Sequence, residues 1–118
     1  MKNNNYRNIV IETYQNFNNR DIEAVLSLMN KDVIWPNGWE GGYVRGHSDI
    51  RDFCTRQWKT INHFFEPIAM KARGKEKFEV MVHHLVKDLK GKLLSDGIVK
   101  HIYKFQNGFI KSMEIENI

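Results

Sequence analysis

The residues best suited to chemistry in this chain are histidines. An imidazole with an ordinary pKa of ~6.5 can both give and take a proton near neutral pH. His83, His84 and His101 fall in strand-like runs of the second half. In the run DGIVKHIYKFQ, alternation puts Val99, His101, Tyr103 and Phe105 on one face and Asp96, Ile98, Lys100, Ile102 and Lys104 on the other. The first face is the more apolar and is expected to turn inward. His83 and His84 are neighbours on the preceding strand, so they point to opposite faces and cannot both chelate one ion. If Asp88–Gly91 makes a tight turn, residues whose numbers sum to 179 pair across it. His84 then opposes Ser95 inside, His83 opposes Asp96 outside, and Val80, Val82 and Val86 form a wall. A slip of one residue exchanges the two histidines.

The second concentration of functional groups is Asp32–Trp58. It holds all three tryptophans, Glu40, three arginines and the only cysteine. Such a stretch reads as a packed lid or as the rim of a small-molecule pocket, and the pocket is the preferred reading. Trp35 would narrow the cavity or stack on a flat substrate. Trp39, on a Gly-flanked loop beside Asn37, would cap the pocket or enter a dimer interface. Trp58 falls on the buried stripe of a helix, and Tyr14 lies beside the stripe of an earlier one, close enough to reach a pocket. Glu40 is read equally as a surface carboxylate and as a pocket acid. Arg45 and Arg56 would hold a substrate carboxylate or pair at the surface. The alternative for the histidines is that they are partly buried and only satisfy hydrogen bonds.

The elements that position these groups follow from periodicity. Tyr6, Ile9, Val10, Thr13 and Phe17 have helical spacing, and Ile22, Val25, Leu26 and Met29 line a second helix capped by Asn18. Asp32–Trp35 is a short strand stopped by Pro36. Ser48 is the expected cap of a third helix that buries Ile50, Phe53, Cys54, Trp58 and Ile61. From His63 onward the period changes to two. Four long runs are separated by turns at Gly74, Asp88–Gly91 and Gln106–Gly108. Three helices followed by a meander of long strands is an α+β plan, and the sheet must curl to cover its apolar face.

Totals exclude several classes. A chain of 118 residues with 42% hydrophobic and 27% charged residues is expected to be one soluble domain. The net charge of +4 is spread along the chain, and the KARGKEK cluster reads as a solvated turn, so no nucleic-acid partner is expected. No window approaches a membrane span, and MKNNNYRNIV lacks a signal-like apolar region. One cysteine on a buried stripe fits a reducing cytoplasm. There is no HExxH, no CxxC and no Gly-rich phosphate loop, so neither a metal nor a cofactor is expected.

Three stretches carry a resemblance: FNNRDIEAVLSLMNKDVIW (17–35), GGYVRGHSDIRDF (41–53) and IYKFQNGFIKSMEI (102–115). Through them the chain resembles the SnoaL-like members of the nuclear transport factor 2 and ketosteroid isomerase superfamily over nearly its whole length. The resemblance implies one SnoaL-like domain over residues 1–118. Its fold would be a cone-shaped, curved, mostly antiparallel sheet wrapped around three N-terminal helices, with a pocket inside the cone. That fold hosts isomerases, cyclases, dehydratases, hydrolases and binders, so the reaction has to be argued from the site. In ketosteroid isomerases the base is an Asp directly before the Pro that ends the first strand. Here that position is Trp35, whose indole has no proton-accepting nitrogen. The second acid of those enzymes, and the acid/base Asp of SnoaL-type cyclases, fall at His101.

The expectation is therefore a cofactor-independent isomerase, cyclase or dehydratase that acts by proton transfer on a small, apolar carbonyl compound, and not a ketosteroid isomerase of the familiar kind. His101 is the expected acid/base, with His83 or His84 as its second imidazole and Glu40 as a charged partner. Trp35, Asn37, Trp39, Tyr14, Arg56, Trp58, Val99 and Tyr103 are the expected substrate contacts. The competing expectation is a non-catalytic module that binds a small ligand or only dimerises. An outer sheet face carrying Met81, Leu85, Ile98 and Ile102 suggests a homodimer.

Overall fold

The computed structural model describes residues 2–38 and 40–116; Trp39, expected at the pocket mouth, lies outside them. The element order is α1 (Lys2–Asn18), α2 (Ile22–Leu26), β1 (Met29–Pro36), β2 (Tyr43–Arg45), α3 (Gly46–Trp58), β3 (Ile61–Ala72), β4 (Lys77–Asp88), β5 (Leu93–Gln106) and β6 (Phe109–Glu116).

Helix α1 buries Tyr6, Val10, Tyr14 and Phe17 along one stripe. It stops at Asn18, whose amide is committed elsewhere. Asn18 Nδ2 donates to the Phe65 carbonyl at 2.8 Å, and the Phe65 N–H donates to Asn18 Oδ1 at 2.9 Å. Asn18 is thus a clasp between α1 and β3 and not the expected cap of α2. That cap is Asp21, whose carboxylate accepts from the Ala24 N–H at 3.2 Å. The helix expected to run to Met29 ends at Leu26, because the backbone turns there to pair with β6: Ile110 N–H donates to the Leu28 carbonyl. Helix α3 begins at Gly46, ahead of the expected cap Ser48. Gly46 has φ +81 and presses on the Lys31 carbonyl, where a Cβ would sit at 3.3 Å, so a residue without one lets the helix start against β1. Ile61, assigned by period to α3, opens β3 instead.

The six strands form one sheet in the order β2-β1-β6-β5-β4-β3, antiparallel except for β1 beside β6. The β4–β5 register differs from the expected one. Val86 opposes Ser95 and His84 opposes Gly97, so partners sum to 181. The Gly91 N–H donates to the Asp88 carbonyl within the turn, but the Asp88 N–H donates to the Lys92 carbonyl, and a bulge between Val86 and Lys87 adds one more residue. The displacement is two residues, so every side chain keeps its face. His84 remains inside with His101, and His83 remains outside. Bulges also interrupt β3–β4 and β5–β6, and each raises the local twist that curls the sheet.

The curled inner face packs Phe78, Val80, Val82, Tyr103, Phe105 and Met113 against α1 and α3. Tyr6 stacks on Phe105 at 4.0 Å and fills one end of the core. At the other end the sheet extends past the helices, where Leu94 and Ile115 are about half exposed. The outer face departs from expectation at one residue: Ile102 is buried between Glu79 and Glu114, so only Met81, Leu85 and Ile98 of the expected patch reach the surface.

Candidate ligand cavity

The open end of the cone holds a cavity of about 570 Å³. Its floor is Tyr14, Trp35 and His101, one wall is α3 through Phe53, Gln57 and Trp58, and the opposite wall is the inner face of β3, β4 and β5. Among the described residues, no Asp, Glu, Lys or Arg lines it. Its polar side chains are a phenol, an amide, a hydroxyl, a thiol, two indoles and three imidazoles, all uncharged in their ordinary buried forms.

His101 is buried at the floor, and its Nδ1 lies 2.8 Å from the Tyr14 hydroxyl. Burial pushes the Tyr14 phenol well above its usual range, so the phenol keeps its proton. Burial, with the neighbouring His84, lowers His101 to about 3, so the ring is neutral at working pH. A neutral ring that accepts the Tyr14 O–H at Nδ1 must carry its own proton on Nε2. With the Tyr14 O–H donating, Nε2–H is the donating side of His101; with Nδ1–H donating to the phenol oxygen, Nε2 is the accepting side.

A second imidazole unit stands on the sheet wall. His63 Nδ1 and His84 Nε2 are 2.6 Å apart, a distance that requires one proton between them. The rings of His63, Phe65 and His84 are parallel within 5°, with Phe65 stacked on His84 at 4.5 Å between centroids. Burial first, then His84 and Arg20, lowers His63 to about 3; burial first, then His83, lowers His84. His63 Nε2 is buried without a hydrogen-bond partner. Behind this wall Arg20 donates to the His63 carbonyl and to Asn62, with its guanidinium over the Trp58 ring at 5.4 Å. Cys54 is buried at the cavity edge with its thiol pushed up to about 12, which leaves it unreactive.

Of the residues expected at the site, Tyr14, Trp35, Trp58, His84, Val99 and His101 line the cavity together. The others do not. His83 is on the outer face, because neighbours on a strand diverge; it binds Asp96 at 2.6 Å, which raises its pKa. Glu40 and Arg56 hold each other at 2.9 Å at the surface, and that pairing keeps the Glu40 carboxyl below its usual range, so it is a poor proton donor. Asn37 is buried but spends its amide on Glu40, where it shapes the loop. Tyr103 is fully buried beneath His101 and Trp35, within the core and behind the cavity surface.

His63, Phe65 and Gln57 line the cavity without having been expected there, and Ser95 lines it from the inner face on which it was expected. His63 and Phe65 share a strand face by simple alternation. Their pairing with Val86 and His84 was hidden by the bulge between Pro67 and Ala69. Among the described residues, no three His, Cys, Asp or Glu side chains converge as a metal site, and no helix is long and apolar enough to cross a membrane.

The sequence matches no family model and no curated protein. The structure matches solved ones closely. An NTF2-like protein of unknown function from Burkholderia pseudomallei superposes with a TM-score of 0.83 at 23% identity, over 97% of this chain and 91% of that one. TerC co-crystallised with polyporic acid gives a TM-score of 0.83 at 25% identity, over 97% and 92% of the two chains. A "putative polyketide cyclase" from Xanthomonas campestris gives 0.80 at 18% identity, over 98% and 91%. The chain has the NTF2-like α+β fold of these proteins, with a curved, unclosed six-stranded sheet around its helices.

Proposed function

We propose that the cavity binds a small, flat, largely apolar carbonyl compound and that its imidazoles move a proton on it, as an isomerase, cyclase or dehydratase would. The observation that carries this reading is the pairing of Tyr14 with His101. It fixes the ring and, with the Tyr14 O–H as donor, presents Nε2–H to a cavity without competing charges. A donor aimed at a carbonyl oxygen in a largely apolar site stabilises the enolate that forms when His84 takes a proton from the neighbouring carbon. His84, on the same inner face, is the second imidazole of the site. Neighbours of the same fold described as polyketide cyclases and as an isomerase support the reaction class. The neighbour crystallised with polyporic acid supports a small-molecule occupant.

A second reading, a binding module without turnover, is favoured by the low basicity of His101. A ring with a pKa of about 3 is a weak base at neutral pH, although a good hydrogen-bond donor. Incubation with cyclic enones in heavy water separates the two. Deuterium entering the carbon beside the carbonyl, and lost in His101→Gln, is expected of the enzyme. Binding with no exchange for any enone assigns the cavity to the binding module.

The exposed outer face, with Phe64 and Ile98 about half accessible, is proposed as a homodimer contact. Sedimentation of the wild type as a dimer, and of Ile98→Lys near the 14.0 kDa of one chain, is the expected outcome; a wild-type monomer refutes it.

A further inference from the structure

We propose that the His63–His84 pair is the seat of an acidic enol, such as a hydroxyquinone or an enolised β-diketone, bound as its anion with the ligand's proton taken up by an outer nitrogen of the imidazole pair. This rests on the cavity being the ligand site and does not depend on turnover.

Four observations support it. The two nitrogens are already at the short distance of a shared proton, so a protonated pair needs no rearrangement. Such an N–H···N bond is stronger when charged than when neutral. His63 Nε2 is a buried polar atom without a hydrogen-bond partner, so that outer nitrogen of the pair is uncommitted when a proton is taken up. Phe65 stacks parallel to both imidazoles and holds the pair in one plane direction, against which a conjugated ligand can align. The electrostatic surroundings are one-sided. The groups facing the pair are Tyr14 of α1, Arg20 after it, Cys54 of α3, and His101 and Ser95 of β5; His83 sits behind the sheet. None of the facing groups is a carboxylate, and Arg20 is a cation. The pair is neutral in the empty cavity because burial opposes its charge with nothing to offset it. An anion in the cavity supplies the missing counter-charge.

In the transfer the enol O–H bond breaks, its electron pair stays on oxygen, and the proton joins the imidazole pair. When the ligand is already ionised in solution, the same complex forms by taking a proton from water. Binding of the anion is then linked to proton uptake.

The test is calorimetry of the whole chain at about pH 7.5, in two buffers of different ionisation enthalpy. The probes are 2-hydroxy-1,4-naphthoquinone, which ionises in solution, and its methyl ether, which has no acidic proton. The hydroxyquinone is expected to bind with uptake of about one proton, and its affinity to fall up to ~tenfold per pH unit as pH rises. The ether is expected to bind at least ~tenfold more weakly, with no uptake. His63→Gln and His84→Gln should each abolish uptake while the ether still binds; if either misfolds, the wild-type comparison decides alone. Equal binding of both probes without uptake overturns the proposal. If a cyclic enone binds and the hydroxyquinone takes up no proton, this inference falls and the cavity reading stands. If no probe binds, both fall.

Discussion

Tyr14 and His101 stand 87 residues apart in the sequence, yet the phenol oxygen and imidazole Nδ1 meet at 2.8 Å in the floor of the cavity. The helix supplies one and the sheet the other, so the bond joins the two layers of the cone as well as fixing which side of the imidazole faces a ligand. Removing the hydroxyl therefore has two separable effects. Tyr14→Phe leaves Nδ1 buried without its donor, which is expected to cost about 1–3 kcal/mol in urea unfolding. It also releases the tautomer, so affinity for a carbonyl ligand should fall by more than the loss of stability explains. Unchanged affinity in a folded Tyr14→Phe protein would show that the bond is only structural.

Acid should destabilise the protein earlier than its carboxylates alone would require. His101 and His63 are held near 3 in the folded state, against ~6.5 when unfolded. Below the unfolded value the unfolded chain binds more protons, so stability is full above ~6.5 and is lost as pH falls towards 3. The slope is about 1.4 kcal/mol per pH unit for each fully depressed histidine. His83 has the opposite sign, because Asp96 raises it: its contribution is present at low pH and lost as pH rises through its folded value. Thermal melts from about pH 7 to 5 should show the loss, His101→Gln should flatten the profile, and His83→Gln should steepen it.

The adjacent histidines give a matched control. His84→Gln should weaken any cavity ligand by about tenfold or more, whereas His83→Gln, on the far side of the sheet, should leave binding unchanged. Titration of one ligand against both variants checks this. Equal losses would mean that the two faces are not separated as the register requires.

Trp35 closes the floor against Phe17 and Tyr103. Trp35→Ala is expected to cost about 3–5 kcal/mol and to admit bulkier ligands than the wild type does. Trp35→Phe should keep most of the stability. Denaturation midpoints with a size series of enones test both points.

Much of this was legible in the sequence because periodicity survives small errors. The β4–β5 register was misplaced by two residues, yet faces depend only on parity, so His84 and His101 fell on the same side as expected. The helix ends were less legible. Asn18 looked like a cap, but its amide is taken by Phe65, and that partner is 47 residues away. Local rules cannot see such competition. The same limit hid His63: its partner His84 depends on a bulge that no local signal announces. Glu40 and Arg56 were ambiguous for another reason. Each was a plausible charge for a ligand, and only the fold revealed that they neutralise each other.

The most direct test of the cavity account is an NMR titration of the imidazole nitrogens of His47, His63, His83, His84 and His101, with and without a cyclic enone. The account predicts that His101 stays neutral, protonated on Nε2, well below pH 6, and that the signals of His101 and His84 move when the enone binds while those of His83 do not. Five histidines that titrate near their ordinary value and ignore every ligand would contradict it.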